Sequence, residues 1–172
     1  MRLKALLRTS KLIVVMGRGG VGKTTVSATL GVQAAKIGLK TIVVTVDPAN
    51  RLADALNIDV DMKIPTRLDC PSDFAPLYGL MLDRKQTCDE LVSRFSKDES
   101  SKSRILQNTY YHYFSTALSG GQEYMAIEMV RQLLLSNDYD LIILDTPPSS
   151  HAFDFLDAPT RFIKGLGKLP KT

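Results

Sequence analysis

Leu12-Ile13-Val14-Val15-Met16-Gly17-Arg18-Gly19-Gly20-Val21-Gly22-Lys23-Thr24-Thr25 is the stretch that decides the fold. Four apolar residues lead through Met16 into the pattern G-x-x-x-x-G-K-[ST], and Gly17, Gly22, Lys23 and Thr24 fill every fixed position. A loop of this pattern joins a strand to a helix. Its glycines lack a Cβ, so they take positive φ and let the backbone wrap a phosphate closely, with several N–H groups aimed inward together. The first unpaired N–H groups of the following helix, and its positive dipole end, favour an anion. Lys23 reaches the β and γ oxygens of a nucleoside triphosphate, and the Thr24 hydroxyl is placed to bind Mg²⁺. Gly17, Arg18, Gly19, Gly20, Val21, Gly22, Lys23, Thr24 and Thr25 are therefore the candidate nucleotide ligands.

At 172 residues the chain has the length of one domain, enough to bury roughly two-thirds of the surface its unfolded form exposes. A single nucleotide-binding domain over residues 1–172 is expected. No apolar run approaches the roughly 18 to 20 residues that a membrane span needs, and Met1 to Lys11 lacks the apolar stretch and cleavage site of a secretory signal. The expected location is the cytoplasm. Cys70 and Cys88 lie far apart with no C-x-x-C spacing, so two reduced thiols are expected rather than a zinc site or a disulfide. The net charge of +4 is modest, and no nucleic-acid partner is expected. Basic residues gather at both ends, Arg2, Lys4, Arg8 and Lys11, then Arg161, Lys164, Lys168 and Lys171. Solvated termini explain them; an acidic partner or a membrane surface is the alternative.

Strands and helices alternate along the chain. Val26, Leu30, Ala34 and Ile37 recur at helical spacing after the loop, and Gly38 closes that helix. Thr41 to Val46 is a β-branched run without alternation, as a parallel strand covered on both faces requires. Leu52, Ala53 and Leu56 suggest a short helix, and Pro65, Pro71 and Pro76 mark a long irregular connection. Leu77 to Leu82 reads as a third strand. Asp83, with Gln86 three residues on, caps a helix that sets Cys88, Leu91, Val92 and Phe95 on its core face. The polar run Lys97 to Ser103 reads as a linker. Ile105, Leu106, Thr109, Tyr110, Tyr113 and Phe114 then describe a second amphipathic helix. Gly120-Gly121 precedes a third, Gln122 to Leu135, whose Met125, Ile127, Met129, Val130, Leu133 and Leu134 predict a mostly buried cylinder.

Tyr139-Asp140-Leu141-Ile142-Ile143-Leu144-Asp145 supplies the fourth strand, ending in a carboxylate. Beside a phosphate loop such an aspartate holds Mg²⁺ through water. Ligands of open parallel sheets bind at the carboxyl ends of strands, and Asp47 and Asp145 both occupy such ends. Asp47 either caps the helix after it or orients, as base, the water that attacks the γ-phosphate, and it is a second candidate Mg²⁺ ligand. The fold class is thus α/β: a P-loop domain with a parallel, doubly wound sheet, helices on both faces, and a helical segment before the strand that ends at Asp145.

The glycine loop, Asp47-Pro48-Ala49-Asn50, and Asp145-Thr146-Pro147-Pro148-Ser149-Ser150-His151 together resemble the arsenite-pump ATPase family (ArsA), which includes the ATPase that delivers tail-anchored membrane proteins. They are more distantly similar to the MinD and ParA partitioning ATPases. The resemblance implies an ATPase that closes as a nucleotide-sandwich homodimer, with Asp47 in a first switch acting on water. Asp145 to His151 would form a second switch that relays the γ-phosphate state to a client protein or membrane-pump partner. Relatives carry a lysine at the position of Arg18, where it reaches the other subunit's phosphates. Arginine keeps the charge and adds a planar fork, making Arg18 a candidate catalytic group beside Lys23 and Asp47.

Relatives usually have asparagine where this chain has Arg51 and glycine where it has Ser150. They also continue past the second switch with further strands and an adenine-reading loop, so the chain is expected to be a truncated member or the amino-terminal portion of a longer protein. ATP rather than GTP rests on the resemblance alone. A second hypothesis of a different class is a MinD- or ParA-like switch that recruits a partner or membrane with little turnover. A small-molecule kinase is a third.

Overall fold

Ile42, Val43 and Val44 fill the middle of Thr41–Thr45, and every residue of this strand is buried. A strand apolar on both faces needs cover on both, and the chain supplies it from two sets of helices. The computed structural model describes residues 2–46, 52, 62–109, 111 and 121–147. In chain order these form α1 (Arg2–Thr9), β1 (Leu12–Val15), α2 (Lys23–Lys36), β2 (Thr41–Thr45), β3 (Thr66–Arg67), β4 (Leu77–Met81), α3 (Arg84–Phe95), α4 (Glu99–Leu106), α5 (Gly121–Ser136) and β5 (Leu141–Asp145). The sheet runs β1-β5-β2-β4-β3.

Its first four strands are parallel, with Val15 and Thr45 both in register with Asp145. The loop after β1, the end of β2 and the end of β5 therefore meet at one edge. On one face Leu7 of α1 and Ala28, Ala34 and Ala35 of α2 pack against Val43, Leu77, Leu141 and Ile143. On the other, Cys88 of α3 and Met125, Ala126 and Val130 of α5 pack against Ile42, Val44, Leu80, Ile142 and Leu144. Small residues let α2 lie close to the sheet: a Cβ on Gly31 would sit 2.6 Å from Val43 Cγ2.

The expected doubly wound sheet is present, with a difference at its edge. A fifth strand, β3, pairs antiparallel with β4 inside the segment expected to be an irregular connection. Its two residues are too few for a periodic signal, and pairing with β4 rather than intrinsic pattern creates it. Residues Arg2–Thr9, read only as a basic end, form a helix anchored by buried Leu7. The α2 core face is Ser27, Ala28, Gly31, Ala34 and Ala35, whereas Val26 is half exposed. Gly38 does close that helix: at φ 91° it donates to the Ala35 carbonyl at 3.0 Å.

Asp83 caps α3 by accepting from the Gln86 amide at 3.0 Å, and Cys88 is buried as expected. Phe95 is not in the core: it is 76% exposed, with the Arg94 guanidinium 5.2 Å from its ring centre. The supposed linker Lys97 to Ser103 is largely α4, because Asp98 caps it through the Ser101 amide and Lys102 pairs with Glu99, so a helix forms with no buried residue. It ends at Leu106, so Ile105 lies in its last turn, exposed. The last half of α5 is exposed at Leu134 and Leu135, so only its first half is the expected buried cylinder. Ala53, Leu56, Tyr110, Tyr113 and Phe114 lie outside the described residues. No helix among the described residues is long and apolar enough to cross a membrane.

Candidate nucleotide-binding site

Where β1 ends, the loop turns on Gly20 and Gly22, at φ 77° and 87°, a region closed to most side chains. A Cβ at either would meet nothing within 4 Å, so conformation rather than space requires glycine. Gly22 is also the N-cap of α2 and supplies no side-chain hydrogen bond to the helix. The first amides of a 14-residue helix thus open toward the loop, as an anion site needs. Arg18, Gly19, Gly20, Val21, Gly22 and Thr25 are exposed, and Gly17 is half-buried.

Lys23 is buried, and its Nζ donates to the Arg18 carbonyl at 3.0 Å. The ammonium is folded across the loop. It has three donors, and this bond uses one. A Cβ on Gly17 would press on Val21 Cγ2 at 3.1 Å while resting in ordinary contact with Cγ and Cδ of Lys23 at 3.7 Å.

Thr24 Oγ1 donates to Asp145 Oδ2 at 2.7 Å, joining groups 121 residues apart. Thr45 Oγ1 donates to the same oxygen at 3.2 Å and Ser27 Oγ to Oδ1 at 3.4 Å. Asp145 is 1% exposed. Burial pushes its carboxyl above the usual carboxylate range, against the three hydroxyls and the nearby Lys23 charge, which pull it down. Around it the strand ends are tied: Val46 N donates to Asp145 O at 3.2 Å, and Thr146 donates to the Val15 carbonyl through N at 3.2 Å and Oγ1 at 2.8 Å.

This donor set suits Mg²⁺. The ion takes hard oxygens and is held by one or two protein groups with phosphates and water completing its shell; a threonine hydroxyl beside a buried carboxylate is that kind of pair. Thr24 bonds directly to Asp145, and the Lys23 charge lies near that carboxyl. Asp47, the Pro48-Ala49-Asn50-Arg51 segment and Pro148 to His151 lie outside the described residues. Sequence reading missed Ser27 and Thr45. Ser27 is three residues past Thr24, hence on its helix face, and Thr45 ends the strand beside Asp145, so spacing and strand pairing carried the signal.

A lysine-bearing glycine loop on one strand, opposite a buried aspartate at the end of its neighbour, defines a protein of the P-loop nucleoside-triphosphatase fold. The family model for anion-transporting ATPases matches residues 10–172, and the chain belongs to that family. It is 32% identical to "ATPase ARSA1" of Chlamydomonas reinhardtii, over 92% of this chain and 23% of that protein. It is 30% identical to "ATPase ASNA1 homolog" of Dictyostelium discoideum and 31% identical to "ATPase GET3" of Rhodotorula glutinis, each over 92% of this chain and 44% of the relative. The chain spans less than half the length of these three relatives.

Proposed function

We propose that residues 1–172 form one nucleotide-binding domain of a cytoplasmic ATPase that binds and hydrolyses MgATP. Its nucleotide state drives transport of an anion or metalloid, or delivery of a membrane-protein client. The observation that carries this reading is the 2.7 Å bond from Thr24 to Asp145, which joins the phosphate loop to the acidic strand end. Family membership supports ATP as the nucleotide, since the relatives named above are all called ATPases.

The loop amides and Lys23 hold the β- and γ-phosphates and offset the charge that builds on the γ-phosphate during transfer. Thr24 and Asp145 would hold Mg²⁺, with Asp47 proposed as a further ligand, and the ion would supply positive charge at the same oxygens. Asp47 aligns the attacking water with the leaving oxygen and accepts its proton. Arg18 supplies further charge across a face-to-face homodimer. Its exposure on the loop leaves it free to reach another subunit.

Phosphate release from MgATP by the natural full-length protein tests this. Lys23→Ala is expected to lower turnover by about 10² to 10³. Arg18→Ala is expected to cost about 10³, the low end for charges supplied across an interface. Unchanged turnover in Lys23→Ala would reject the site; unchanged turnover in Arg18→Ala alone would remove only Arg18.

A further inference from the structure

Ser27 and Thr45 belong to neither nucleotide motif, yet both are fully buried and both hydroxyls donate to Asp145. Among the described residues, Thr24 and Thr45 place two donors on Oδ2, while Oδ1 has only the 3.4 Å bond from Ser27. An ionised carboxylate has about four acceptor sites, so its spare capacity lies mainly at Oδ1. Lys23, whose charge acts on this carboxyl, bonds to the Arg18 carbonyl instead. Hydroxyls thus orient Asp145, and among the described residues no cation bonds to it directly, an arrangement that is costly in a buried place unless a cation arrives.

We infer that Ser27 and Thr45 are positioning residues of the cation site, fixing the direction of the Asp145 carboxylate so that it engages Mg²⁺ as nucleotide binds. Neither touches nucleotide. Their roles differ: Thr45 braces Oδ2 together with Thr24, and Ser27 aims Oδ1. This inference rests on the magnesium-nucleotide reading above, and the experiment separates the two.

The full chain is titrated calorimetrically with ATP, once in MgCl₂ and once in EDTA, and the ratio of the two Kd values is the readout. Wild type is expected to bind more tightly with magnesium; no enhancement there would overturn the nucleotide reading and this inference with it. Given enhancement in wild type, Ser27→Ala and Thr45→Val are expected to reduce it about 10- to 100-fold, as loss of groups supporting metal ligands does. Their Kd in EDTA should stay within about twofold of wild type, the scatter allowed for a site whose phosphate contacts are intact. Thr45→Ser, which keeps the hydroxyl, should restore the ratio. Equal weakening in both buffers, or an undiminished ratio in folded variants, would overturn the inference. Should Thr45→Val fail to fold, Ser27→Ala decides.

Discussion

Asp145 and Glu128 are both buried carboxylates, and the fold treats them oppositely. Glu128, on α5, accepts from Arg131 Nε and Nη2 at 2.8 and 2.7 Å, from Arg94 of α3, and from Gln132 at 3.4 Å. The Arg131 bonds first, then Arg94 and Gln132, overcome burial and hold its carboxyl down to about 2. Among the described residues the side-chain donors to Asp145 are all neutral hydroxyls, and burial pushes its carboxyl up despite them and the nearby Lys23 charge. A charge already matched inside the protein fastens two helices together; a charge left unmatched is available to something that comes from outside. The contrast sets a structural ion cluster apart from the carboxylate proposed to bind a cation, without reference to any motif.

Removing the unmatched charge should produce the largest effect. Asp145→Asn is expected to lower MgATP turnover about 10² to 10³ while leaving the thermal midpoint the same or higher, because a neutral amide is cheaper to bury. A midpoint that falls sharply would mean that Asp145 is structural after all. Glu128→Gln should do the reverse: turnover per folded molecule is retained, but stability in urea falls by about 1 to 3 kcal/mol as Arg94 and Arg131 exchange a charged two-oxygen acceptor for one neutral oxygen.

Acid should expose the same difference more gently. A carboxyl held below its unfolded value contributes stability that is complete above that value and disappears as pH falls through the folded one. For Glu128 the window runs from 4.5 down to about 2. Urea midpoints of wild type and Glu128→Gln should therefore differ most at neutral pH and converge as pH drops through that range. Parallel curves would show that the ion cluster contributes nothing to folding.

The glycine loop and the strand ends around it were legible in the sequence because their pattern is local. Strand, glycines, lysine and threonine follow one another, and Asp145 closes a short apolar run of the kind a buried strand has. The rest failed where pairing or packing decided the outcome. β3 exists through its contact with β4, and α4 stands on a cap and an ion pair rather than on an apolar face. Val26 and Phe95 have the right spacing for a core, yet α2 approaches the sheet through glycine and alanine, and Phe95 lies at an open helix end. Ser27 and Thr45 are ordinary residues until the register of β2 and β5 brings them to one carboxylate.

The most direct measurement is a calorimetric titration of the folded chain with MgATP, repeated on Lys23→Ala. A saturable heat in wild type that vanishes when the ammonium is removed is the expected result. A flat titration in folded wild type, or the same heat in the variant, would contradict a triphosphate site built from the loop, its lysine and Asp145.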